Sequence, residues 1–83
     1  MNISQNKLNE YITLYLNDID DYGDKLELTL AENALSPIKN LLLESKQDAS
    51  SIIKEALSKS TPLNKEVITD FLNYMQADLA SKK

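Results

Sequence analysis

The amino-acid sequence predicts an all-α fold, a small bundle of four to five short helices forming a single helical domain over residues 1–83. Three observations lead to it. One Gly and two Pro leave few chain breakers, which favours helices over a many-turned β fold. Apolar residues recur at steps of three and four along most of the chain. The 42% hydrophobic content is that of a globular protein, and 83 residues suffice for one modest core.

The first helix is set by Ser4, whose hydroxyl suits an N-cap, with Ile3 and Leu8 at the two positions of a hydrophobic staple. Leu8, Tyr11, Ile12, Tyr15, Ile19 and Tyr22 then form its stripe, flanked by Leu14 and Leu16. The apolar arc spans roughly 200°, which predicts a helix central in the bundle or lying in an oligomer interface. Gly23 is expected to stop it.

The second segment reads two ways. Leu26, Leu28 and Leu30 alternate as in a strand, whereas Leu30, Ala34, Ile38, Leu41 and Leu42 repeat as in a helix. Helix is preferred, since no second strand is visible to pair with the first. Ser36-Pro37 resembles an N-cap followed by Pro at the first helical position. That divides the segment into a helix over about 25–35 and another from Pro37 to about Ser45, with one helix containing Pro37 as the alternative.

Asp48 is expected to cap a short third helix with Ile52, Ile53, Ala56 and Leu57 inward. Thr61-Pro62 breaks the chain. The last helix is read as capped by Asn64, with Leu63 and Ile68 as a second staple and Val67, Ile68, Phe71, Leu72, Met75 and Leu79 along one face. Tyr74 stands at its edge, and Ser81-Lys82-Lys83 puts positive charge where the helix dipole favours it.

Composition argues against several functions. With no Cys there is no disulfide framework or thiolate site; with no His the commonest general base, metal ligand and pH switch are missing. All nine basic residues are Lys and the net charge is −4, which speaks against direct nucleic-acid binding. The longest apolar run is Leu41-Leu42-Leu43, so no membrane association is expected, and the polar N-terminus suits a cytoplasmic location. No catalytic residues, cofactor or metal are assigned.

Charge is unevenly distributed. Residues 1–35 carry seven acids against two Lys, giving −5, and residues 36–83 carry six acids against seven Lys, giving +1. Asp18, Asp20, Asp21 and Asp24 crowd around Gly23. Asp18-x-Asp20-x-x-Gly23 has the start of a calcium loop, but Tyr22 and Thr29 occupy its fifth and twelfth positions, where an oxygen ligand and a Glu are needed. Tyr11, Tyr15 and Tyr22 share one helix edge, within roughly 40° of arc, and tyrosine is enriched at interfaces.

These features predict a non-catalytic protein–protein interaction module: a small regulator, adaptor, chaperone or inhibitor. Its partner is another protein, contacted through Tyr11, Leu14, Tyr15, Asp18, Asp20, Asp21, Tyr22 and Asp24. The wide arc of the first helix also predicts a homodimer burying Leu14 or Leu16 with tyrosines. One alternative is an acidic inhibitor that mimics nucleic-acid charge and blocks a basic site on another protein. A second is a carrier protein. Acyl carrier proteins bear their arm on a Ser in an Asp-Ser-Leu-like setting at a helix start; Ser36 has the predicted helix-start position, but its flanks do not match.

Overall fold

Helix periodicity prevails throughout the computed structural model, which describes residues 3–44 and 47–81. Among these residues there are four helices and no strand: α1 (Gln5–Tyr22), α2 (Lys25–Glu44), α3 (Ala49–Lys59) and α4 (Pro62–Ser81). All four contribute to one hydrophobic cluster, with Leu8, Tyr11, Ile12, Leu35, Ile38, Ile52, Ile68, Phe71 and Met75 fully enclosed.

The start of α1 is as expected. Ser4 accepts a hydrogen bond from the Lys7 amide at 3.1 Å, Leu8 is buried, and Ile3 packs against the same cluster. Gly23 ends the helix, its amide donating to the Ile19 carbonyl at 2.7 Å. Its φ of −100° is open to any residue, so left-handed freedom is not why glycine stands there. Space is: a Cβ would lie 2.9 Å from the Ile19 carbonyl oxygen and 2.6 Å from Glu27 Oε2.

The largest departure is α2. It runs unbroken through Pro37, so Ser36 lies inside a helix and caps none, and the strand reading of Leu26–Leu30 is not realised. The expected end at Ser45 falls outside the described residues. Proline removes one amide donor and normally breaks a helix. Here Pro37 and Asn33, whose carbonyl loses its partner, both face solvent, while Ala34, Leu35 and Ile38 anchor the helix in the core on either side. Tertiary burial holds the two halves in line. Helix α2 packs extensively against each of the other three, whereas α1 packs chiefly against α2 and α4.

Asp48 caps α3 as expected, accepting from the Ser51 amide at 2.8 Å. That bond holds its carboxyl below the usual range. The start of α4 differs from expectation. Pro62 is the first helical residue, where a missing amide costs nothing, and Thr61 is the cap, its hydroxyl accepting from the Asn64 amide at 3.3 Å. Asn64 therefore lies within the first turn, and Leu63 is exposed, so the second staple is not formed. Lys82 and Lys83 lie outside the described residues.

Helices α1 and α4 pair antiparallel. Tyr11 donates to Asp78 Oδ2 at 2.5 Å, and further along α1 Asp18 Oδ2 accepts from Tyr74 at 2.7 Å. This pairing positions the site.

A candidate docking groove between the first and last helices

The tyrosine edge of α1 divides along its length. Tyr11 lies deep enough between α1 and α4 to be fully buried, its hydroxyl satisfied by Asp78, so it belongs to the core and not to a contact surface. Tyr15 is half-buried, its ring edge-on to Phe71 at 5.4 Å and to Tyr74 at 5.3 Å. Tyr22 is 89% exposed. Core, groove wall and free ring thus succeed one another along a single helix edge.

Tyr15, Asp18, Ile19, Tyr22, Gly23, Glu27 and Tyr74 line a shallow groove of about 390 Å³. A neighbouring depression of about 340 Å³ shares Tyr15, Ile19 and Glu27 and adds Leu30, Ala31, Val67 and Asp70. Together they form one surface with an aromatic and aliphatic floor and three carboxylates: Asp18, Glu27 and Asp70. Among the described residues, no basic side chain lines either part. Among the described residues the ion pairs are Lys7–Glu10 and Lys59–Glu55, both elsewhere.

The remaining predicted residues are distributed around this groove. Asp24 plays a structural part, since its side chain accepts from the Glu27 amide at 2.8 Å and caps α2. Asp20 and Asp21 are exposed on the last turn of α1 and do not line the groove. Leu14 is 47% exposed and also lies outside it, whereas Leu16 packs against the core. Glu27, Asp70 and Tyr74 were not among the predicted contact residues. The position of Tyr74 at the edge of its helix face was the one sequence signal pointing to them.

The phenols sense the surrounding charge. Partial burial, the hydrogen bond to Asp18 and the nearby Asp78 push Tyr74 up to about 12. Burial, then the charges of Asp70 and Glu27, push Tyr15 upward as well. Below about pH 10 a tyrosine is protonated whether the chain is folded or not. Above it the unfolded chain releases a proton that folded Tyr74 retains until about 12, so stability falls as pH rises through that window. Tyr74→Phe is expected to flatten this decline, read as the change in urea midpoint between about pH 9 and about pH 11. An unchanged decline would show that the Tyr74 proton is not held by the fold.

A second depression, of about 300 Å³ between α2, α3 and the start of α4, is lined in part by Pro37, Leu41, Ala56 and the Glu55–Lys59 pair. Its charges neutralise one another, unlike those of the α1–α4 groove. Among the described residues no three metal-ligating side chains converge, and no helix is long and apolar enough to cross a membrane. Comparison with known proteins gives no matching family model, no matching curated protein and no matching solved structure.

Proposed function

We propose that this chain is a non-catalytic protein-interaction module that docks a partner protein in the α1–α4 groove. The observation that carries this reading is the surface built by Tyr15, Tyr22 and Tyr74. Aromatic rings combine large apolar area with a polar tip, the composition favoured where proteins meet. Tyr22 buries almost nothing in the isolated chain, so its ring contributes little to folding and is available for contact.

A second copy of the chain is a poor occupant. A two-fold interface through the groove would set Asp18, Glu27 and Asp70 against the same carboxylates of its partner. The homodimer expected from the α1 arc therefore does not use this surface in our reading. The carrier reading loses its basis too, because Ser36 sits in the interior of α2 rather than at a helix start. Mimicry of nucleic-acid charge remains a second reading, favoured by three groove carboxylates with no basic side chain among the described residues of the lining.

The test places a photo-crosslinking residue at position 22 and, as control, at exposed position 54. One dominant adduct is expected from position 22 in the source cell, and it should vanish on adding Tyr15→Ala or Asp18→Lys. Adducts that survive both changes, or that match the control, would overturn the assignment of the groove.

A further inference from the structure

We infer that the groove takes a lysine or arginine side chain from a basic segment of the partner, held between the tyrosine rings and the carboxylates of Asp18 and Glu27. This rests on the reading of the groove as a protein-docking surface and adds the chemistry of what docks there.

Charge complementarity favours a cation. Two carboxylates line the main groove, a third extends it, and among the described residues no cation in its lining offsets them. An anionic ligand is repelled. A neutral apolar segment would strip water from Asp18 and Glu27 and offer nothing in return, which is costly for ionised groups. A guanidinium or ammonium replaces the lost water with charge-assisted hydrogen bonds.

The position of these acids on α1 also favours a cation. The C-terminal end of a helix carries partial negative charge and favours cations. The last turn of α1 holds no basic residue, and Asp18, Asp20 and Asp21 stand at or near it. The folded chain thus concentrates like charge where the backbone field already opposes it, and a bound cation relieves both terms at once. The free face of Tyr22, beside those carboxylates, offers a ring on which a cation can stack.

The test titrates the isotope-labelled chain with two blocked peptides of equal length, one hexa-arginine and one uncharged Leu–Gln peptide, and follows backbone amide shifts. Hexa-arginine should shift Tyr15, Asp18, Ile19, Gly23, Glu27 and Tyr74, with affinity falling about tenfold between about 50 mM and about 300 mM salt. Tyr22→Ala should weaken binding about threefold. Asp18→Asn with Glu27→Gln should weaken it about tenfold, whereas Asp20→Asn with Asp21→Asn, the same charge change outside the groove, should weaken it less than about twofold. Circular dichroism of each variant confirms that the helices persist.

Equal loss in the two double variants, or shifts spread evenly over the acidic surface, would mean diffuse attraction and overturn the inference. Groove shifts from the Leu–Gln peptide alone would overturn it too, while leaving the docking reading intact. Silence in the groove with both peptides overturns both.

Discussion

Phe71→Ala is expected to remove a large share of the stability of the fold. The ring is fully enclosed, packs T-shaped with Tyr15 at a centroid separation of 5.4 Å and sits in the cluster fed by all four helices. Truncating a buried phenylalanine costs about 3–5 kcal/mol, through lost transfer free energy and the cavity left behind. A domain of this size is stable by only about 4–12 kcal/mol in total. Urea denaturation followed by circular dichroism should show the midpoint displaced far toward zero, or no folded baseline at all. Phe71→Leu, which keeps most of the volume, should lose less than about 1.5 kcal/mol. A Phe71→Ala protein within about 1 kcal/mol of the wild type would contradict the placement of this ring at the centre of the core.

Pro37→Ala is expected to act in the opposite direction, with a gain of about 2 kcal/mol. Alanine in a helix interior is favoured over proline by about 3 kcal/mol, and releasing the proline restraint on the unfolded chain returns about 0.4–1 kcal/mol of that. The ring is exposed, so no core packing is lost on removal, and the new amide meets the waiting Asn33 carbonyl. The melting temperature should rise by about 10 °C for a domain of this length. A fall or no change would mean that the helix is interrupted at Ser36-Pro37, and the continuous α2 would be wrong.

Most of the helical content is legible in the sequence, because each helix advertises its own buried face. Leu8 and Ile12, Ile52 and Ala56, and Ile68, Phe71 and Met75 all lie where three-and-four spacing puts them. The errors are local competitions between two good signals. Ser36-Pro37 has the chemistry of a helix start, yet Ala34, Leu35 and Ile38 bury themselves on both sides and override it. Asn64 and Thr61 can both cap; Pro62 decides for Thr61 because it needs no donor at the first helical position.

The groove is only half legible for a different reason. Its α1 wall, Tyr15, Asp18 and Tyr22, falls on one stripe and can be found by spacing. Its other wall comes from Glu27, carried round by the turn into α2, and from Asp70 and Tyr74 on α4, brought in by an antiparallel pairing that no periodicity encodes. The same pairing decides the fate of Tyr11. On the helical wheel it is equivalent to Tyr15 and Tyr22, and only the reach of α4 toward Asp78 separates a core tyrosine from a surface one.

Two hydrogen bonds that join α1 to α4, Tyr11 to Asp78 and Tyr74 to Asp18, span 67 and 56 positions of sequence. The groove is accordingly local only in part: Tyr15, Asp18, Ile19, Tyr22, Gly23 and Glu27 are near neighbours in sequence, and with α4 detached they have lost the wall that Tyr74, Val67 and Asp70 supply. A ligand that touches Tyr74 as well as the α1 residues therefore favours the closed chain and acts as a clasp across the sequence. In hydrogen exchange, such a clasp should slow the amides of α4 most, by suppressing the openings in which that helix lifts away.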